Sequence, residues 1–337
     1  MISFPIKVMF FKLVQFVLKW SSKALNFRTP ELFTGAGSSL LLCEHMGRTG
    51  AKNILLVTDA MLAKIGLLDP IKAKLDELGI RYTIYDGVEP NPTIDQIEAG
   101  LALLKGEKCT AILAVGGGSP IDAAKVIAAR AKNPLKVAHM AGLLRVIFKP
   151  LPLFVVPTTA GTGSEVTIAA VVSDPSTTRK FAIMDPNLVP LGAALDGALM
   201  AGLPAHITAA TGMDALTHAV EAYISRTTAG VGYVHAIAHN FGAYYHVPHG
   251  LANAIILPRV LDFSKAFCIE RLAYLAQISG LRKGQETPTE LADAFIAHVR
   301  ALNAEFGIPT QVEQLREEDI PAITDKALSE AHWTYAE

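Results

Sequence analysis

The sequence predicts an α/β part with a mostly parallel sheet, followed by an all-α part. Three observations lead there. The chain has 337 residues, room for two domains at the usual roughly 100–200 residues each. From about residue 50, short β-branched runs alternate with stretches of helical spacing, the pattern of βαβ units. Past about residue 200 the strand-like runs stop, and helical spacing continues to the end.

The elements follow in order. NILLVTD (53–59) is a β-branched run ending at Asp59, and AMLAKIG and PIKAKLDELG have helical spacing. RYTIYDGV reads as a strand, TIDQIEAGLALLKGE as a helix, and TAILAVGGGS as a strand running into glycines. PIDAAKVIAARAK is a further helix, and PLFVVPTT closes the strand series. LPAHITAATGMDALTHAVEAYIS, ERLAYLAQISG and PTELADAFIAHVRALNAEFG are helical. The change of pattern at 195–205 divides the chain into a leading segment (1–26), an α/β domain (27–200) and a helical domain (201–337). No internal repeat, low-complexity tract or charge block interrupts it.

Hydrophobic residues make up 51% of the chain and charged residues 18%, a globular composition on the apolar side. The mean hydropathy of +0.34 points to extra burial, as at a subunit interface. Net charge is −1 with basic residues scattered, so nothing marks a nucleic-acid surface. Cys43, Cys109 and Cys268 are widely spaced and never form a CxxC pair. They fit the reducing cytoplasm rather than a disulfide framework, and they exclude thiolate zinc sites. The leading stretch MISFPIKVMFFKLVQFVLKW is interrupted by Lys7, Lys12 and Lys19, so it falls short of the roughly 20 apolar residues of a membrane span. It reads as an amphipathic element on the protein's own surface or on a partner subunit; peripheral membrane contact is the alternative.

Chemistry concentrates in a few motifs. In AILAVGGGSPIDAAKVIA (111–128) a buried strand runs into Gly116, Gly117, Gly118 and Ser119, with Pro120 at the first helical turn. Glycines admit a ligand close to the backbone, and a helix N-terminus offers N–H groups and positive dipole to a phosphate. A tight turn with no ligand is the plain alternative. Asp59, at a strand end, is placed like the acid that bonds ribose hydroxyls in dinucleotide-binding folds, although strand-end turns also use Asp. PTTAGTGSEVT (157–167) brings the hydroxyls of Thr158, Thr159 and Thr162 after another buried strand, suited to phosphate or carboxamide, or simply to solvent.

The helical half holds the sharper signal. Six of the ten histidines lie between His206 and His249. Asp214 and His218 are i and i+4, as are His235 and His239, so each pair shares a helix face. His249 follows in a PHG loop. An Asp with several His and no Cys is a mixed oxygen and nitrogen donor set, suited to Fe²⁺ or Zn²⁺ rather than Mg²⁺ or Ca²⁺.

Together VTDAMLAKIGL, GVEPNPT, GGGSPIDAAK, VPTTAGTGSEVT, RKFAIMDPNLVP, ATGMDALTHAVEAY and GYVHAIAHNFGAYYHVPHGLANAIILPRVLDF resemble the iron-containing (group III) alcohol dehydrogenase family. The resemblance runs from about residue 27 to 265 in the family's order. It implies a dinucleotide-binding α/β domain, a helical metal-binding domain, and a cleft between them for nicotinamide and metal, the dehydroquinate synthase-like two-domain architecture. It implies Asp214, His218, His235 and His249 as metal ligands, with His239 beside them as a proton relay; His246 matches no ligand of the family and reads as a residue behind the ligands or in a loop. The cofactor residues implied are Asp59, Asn91, Gly117, Gly118, Ser119, Thr158, Thr159, Thr162 and Lys180, with Asp59 favouring NAD over NADP. The implied activity is hydride transfer between a small alcohol or aldehyde and nicotinamide in a homodimer, with Fe²⁺ or Zn²⁺ as Lewis acid.

One departure stands out. EAYISRTTA (221–229) runs almost directly into GVGYVHAIAH (230–239), where the family inserts several helices, roughly fifty residues at a mean helix length of about 11–12. The end at Ala336-Glu337 is shorter by about one helix. Residues left out of the sequence, a deletion, and a remodelled inactive relative are the three explanations; intact motifs on both flanks favour the first. Two other functions remain open: a relative with another reaction, such as hydroxyacid–oxoacid transhydrogenase or maleylacetate reductase, and a non-catalytic protein that binds nucleotide or metal.

Overall fold

A computed structural model describes residues 28–177, 179–225 and 231–334. The leading amphipathic segment (1–26), the short junction after Ser225 and the last three residues lie outside the described residues. What is described forms two compact units, one ending at Leu203 and the other starting at Pro204.

The first unit runs β1 (Glu31–Thr34), α1 (Ser38–Arg48), β2 (Asn53–Val57), α2 (Ala60–Lys64), α3 (Asp69–Glu77), β3 (Arg81–Tyr85), α4 (Ile94–Gly106), β4 (Ala111–Gly116) and α5 (Gly118–Lys132). It continues through β5 (Gly142–Leu143), β6 (Leu153–Pro157), β7 (Ala169–Asp174), β8 (Arg179–Met184) and β9 (Gly192–Leu195). Six strands make one parallel sheet in the order β1-β9-β6-β4-β2-β3. β5, β8 and β7 form a second, smaller sheet in which β7 and β8 are antiparallel.

Side chains alternate across the parallel sheet because successive Cβ atoms point to opposite faces. Leu55, Val57, Ile112, Ala114 and Val155 pack with α5 on one side. Ile54, Leu56, Leu113, Val115, Phe154 and Val156 pack on the other with Leu42 and Met46 of α1 and Ile71 and Leu75 of α3. Coverage on both faces is what makes these strands read as continuous apolar runs. The strand series does not close at PLFVVPTT as the pattern suggested. β1 and β9 extend the sheet as four-residue strands, too short to show a period. The β7–β8 pair lies past the helical alternation.

Connectivity locates the ligand side of this sheet. From β2 the chain adds β3 on one flank and returns to place β4 on the other. Such a topological switch point opens a crevice at the carboxyl ends of the two diverging strands. Asp59 follows β2, and Gly117–Ser119 follow β4, which ends at Gly116.

The second unit is helical: α6 (Ala205–Ile224), α7 (Tyr233–Tyr245), α8 (His249–Ile278), α9 (Pro288–Glu305) and α10 (Ile320–Thr334). Its core takes Met213 and Val220 from α6, Val234 and Phe241 from α7, Leu257 and Leu261 from α8, and Phe295 and Val299 from α9. α9 starts on a Thr287–Glu290 capping box with Pro288 in the first turn, a strong start signal. α8 is kinked at Cys268, where φ is −140° and ψ 27°. Among the described residues no helix is long and apolar enough to cross a membrane.

Candidate metal centre and nucleotide loops

Three helices bring the predicted ligands together. α6 carries Asp214 and His218 one turn apart, α7 carries His235 near its start, and His249 is the first residue of α8. The PHG stretch is thus a helix start: Pro248 is the N-cap. Gly250 permits the approach, since a Cβ there would lie 2.4 Å from the Ala210 carbonyl oxygen on α6.

One donor atom from each of Asp214, His218, His235 and His249 lies within 4.8 Å of all the others. His218 Nε2 and His235 Nε2 are 3.2 Å apart. Asp214 Oδ1 is 3.8 Å from His235 Nε2 and 3.6 Å from His249 Nε2, and Asp214 Oδ2 is 3.9 Å from His218 Nε2. Donors about 2.1 Å from a common centre at tetrahedral angles sit about 3.4 Å apart, so these spacings fit one ion. Chemistry agrees with geometry. Burial pushes the His235 pKa well below its usual value, aided by His218 and His239, so the ring stays neutral with a lone pair to give. Burial also raises the Asp214 pKa, opposed chiefly by His218. A carboxylate that is 1% exposed is costly without a cation beside it.

The remaining histidines differ. His239 stacks on His249 at 5.1 Å between centroids, and its Nδ1 lies 2.6 Å from Glu330 Oε1 on α10. It therefore sits beside the four donors. His246 is exposed and ends α7 in the left-handed region at φ 56°.

Three polar neighbours escaped the sequence reading. Glu221 Oε2 is 2.5 Å from His235 Nδ1, Asn253 Nδ2 donates to Asp214 Oδ1 at 2.5 Å, and Glu330 holds His239. Helical spacing could have exposed the first two, at i+3 from His218 and i+4 from His249. Nothing local announces Glu330, 91 residues after His239.

In the α/β unit the predicted nucleotide loops also converge. β4 and β6 are neighbours with Gly116 opposite Pro157, so both loops leave the same sheet end. A Cβ on Gly118 would lie 2.9 Å from Thr162 Cγ2, and one on Gly117 3.3 Å from Thr159 Oγ1. Bare backbone is needed there. Thr158 is buried, and its N–H donates to Gly116 O at 3.0 Å. Asn91 N–H donates to Ser119 Oγ at 3.2 Å, and Lys180 Nζ donates to Asn91 Oδ1 at 2.5 Å. Asp59 sits on the β2 side of the crevice and caps α2 by accepting from Leu62 N–H at 2.9 Å.

Two ionisable side chains on α5, the buried Lys125 and the half-buried Asp122, hold the second loop. Lys125 Nζ donates to Thr167 O, Thr167 Oγ1 and Ala169 O at 2.7–3.0 Å. Asp122 accepts from Ser164 Oγ at 2.8 Å and Val171 N–H at 2.9 Å. Burial lowers the Lys125 pKa to about 8 and raises that of Asp122.

A parallel-sheet unit with glycine loops at a switch point and a helical unit carrying an Asp-His₃ cluster fit the class of metal-dependent dehydrogenases. Comparison with known proteins agrees. The family model for iron-containing alcohol dehydrogenase matches residues 29–197, and the model for the C-terminal part of the Fe-containing alcohol dehydrogenase family matches 227–337. The chain is 34% identical to lactaldehyde reductase of Escherichia coli strain K12 over 88% of this chain and 91% of that one. It is also 34% identical to 1,3-propanediol dehydrogenase of Klebsiella pneumoniae, over 93% and 94%. The crystal structure of a 1,3-propanediol oxidoreductase superposes with a TM-score of 0.88 at 33% identity, covering 92% of this chain and 95% of that one. The chain belongs to the iron-containing alcohol dehydrogenase family and is an oxidoreductase.

Proposed function

We propose that the protein interconverts a small primary alcohol or diol and its aldehyde with NAD as hydride carrier, and that Asp214, His218, His235 and His249 hold the metal. The observation that carries this is the convergence of four donor atoms from three helices within 4.8 Å. A divalent ion held by these four residues, iron by family and Zn²⁺ as the other candidate, would supply Lewis-acid polarisation of the substrate oxygen. A bound nicotinamide would supply the hydride acceptor.

The chain's own groups do the rest. His235, neutral at working pH, offers Nε2 while Nδ1 faces Glu221. Asp214 supplies the negative charge that offsets a cation. His239, with Nδ1 against Glu330, takes or returns the substrate proton at Nε2. Gly117, Gly118, Ser119, Thr158, Thr159 and Thr162 would cradle the pyrophosphate and carboxamide, with Asn91 and Lys180 buttressing Ser119, and Asp59 would bond the ribose. A carboxylate at that position repels a 2′-phosphate, hence NAD.

A homodimer in the cytoplasm fits the three free cysteines and an exposed apolar stripe on α8, where Phe263 and Phe267 are 75% and 74% exposed. Light scattering should give twice the chain mass, and Phe267→Glu should lower it if that stripe is the contact. The activity is tested by loading Fe²⁺ or Zn²⁺ without oxygen and following NADH formation from short alcohols and diols. A folded, metal-loaded sample that turns over none of them overturns the reading.

A further inference from the structure

Glu221 is buried at 4% exposure in the middle of the helical unit, and the ligand set does not include it. It lies three residues after His218 and seven after Asp214 on α6, hence on the same helix face as both. A carboxylate so placed must be paired or hydrogen-bonded to be tolerated. Glu221 meets this requirement entirely on the chain that resumes after the junction. Its Oε1 accepts from Val234 N–H at 2.8 Å, the Gly232 N–H also bonds the carboxylate, and Oε2 is 2.5 Å from His235 Nδ1.

Two consequences follow from that geometry. The first concerns the helix. α7 begins at Tyr233 with Gly232 as N-cap and no side-chain cap of its own. Its first turn needs an acceptor for its open N–H groups, and negative charge is favoured there. Glu221 reaches over from α6 and supplies both. The fit is close: a Cβ on Gly232 would lie 2.9 Å from Glu221 Oε1.

The second concerns His235. Burial raises the Glu221 pKa, and the backbone N–H groups of Gly232 and Val234 oppose that rise. An ionised carboxylate can only accept, so this contact favours the His235 proton on Nδ1 and the lone pair on Nε2. That Nε2 is the atom 3.2 Å from His218 Nε2 and 3.8 Å from Asp214 Oδ1. One side chain thereby sets where α7 starts, which way the His235 ring faces, and which nitrogen can give electrons.

We infer that Glu221 is a positioning residue for the metal centre, clamping α7 to α6 across the junction and fixing His235 in the Nδ1–H tautomer. This rests on the ligand assignment above. The role is distinct from stability alone, because Gln has the same shape but its amide nitrogen donates. In Glu221→Gln the oxygen keeps Val234 and Gly232, and the amide donates to His235 Nδ1. The proton moves to Nε2, where it blocks the lone pair.

The experiment uses the full-length chain. Nitrogen-15 imidazole spectra of the metal-free wild type should show His235 protonated at Nδ1, and Glu221→Gln should show it at Nε2. Co²⁺ titration, followed by its visible ligand-field bands, should weaken about 10–100-fold in Glu221→Gln, the range for an outer partner of a ligating histidine. NAD binding should be unchanged. An Nε2–H tautomer in the wild type overturns the inference whether or not the variant folds. So does Co²⁺ binding of wild-type strength in a folded Glu221→Gln. Failure of the wild type itself to bind Co²⁺ overturns the ligand assignment instead, and the tautomer measurement keeps the two failures apart.

Discussion

His249→Ala removes one of the four proposed donors and lies outside the sheet unit. Metal affinity should fall by more than about 100-fold, beyond the effect of losing an outer partner, while NAD binding stays near wild type. Atomic analysis after dialysis, with a parallel NAD titration, checks this. Asp59 caps α2 and, on the proposed reading, also bonds the ribose; one substitution separates the two. Serine also caps helices well, so Asp59→Ser should cost less than about 1 kcal/mol of stability while shifting preference toward NADP. The ratio of NAD to NADP affinities is the measurement. Lys125 gives a pH signature. Its pKa in the fold is about 8, against about 10.4 in an unfolded chain. Between those values the unfolded state binds more protons, so stability rises with pH across that window. Relative to Lys125→Met, which cannot titrate, the wild type should gain stability from pH 8 toward pH 10 in urea unfolding. A flat difference would mean that Lys125 does not titrate there.

At the scale of elements, the centre depends on how closely three helices approach. α8 meets α6 where Gly250 faces the Ala210 carbonyl. Gly250→Ala must push the two apart, at a cost of about 1–3 kcal/mol for overpacking. It should also weaken metal binding, because His249 precedes Gly250 and Asp214 lies one turn beyond Ala210. Thermal unfolding and metal titration should move together; a destabilised variant with normal metal affinity would break that link. Helix faces were legible in sequence, since Asp214/His218 and His235/His239 repeat at one turn. Short elements were not. ELFT and GAAL become sheet strands only because β9 pairs with both β1 and β6.

For the molecule as a whole, a metal is a ligand that binds only the folded arrangement of its donors. Saturation at about 1,000 times Kd adds about 4 kcal/mol to the unit that holds it. Hydrogen exchange should therefore slow in α6, α7 and the first turns of α8 when Fe²⁺ or Zn²⁺ is added, while β2, β4 and β6 stay as they were. Equal slowing in both units, or in neither, would contradict a centre built from Asp214, His218, His235 and His249. Chelation should reverse the effect and loosen the helical unit first.

The sequence by itself determined the parallel-sheet character of the first part, the helical character of the second, and the residue types able to hold phosphate and metal. Those properties are local: periods of two and 3.6 residues, glycines after a strand, one-turn pairs of donors. Only the tertiary structure decided that Glu221 faces His235, that Glu330 braces His239, and that Lys125 is buried against the carbonyls of Thr167 and Ala169. Each of those depends on which distant segments fill the same space. Packing a core is a constraint on the whole chain, so spacing within a few turns cannot report it.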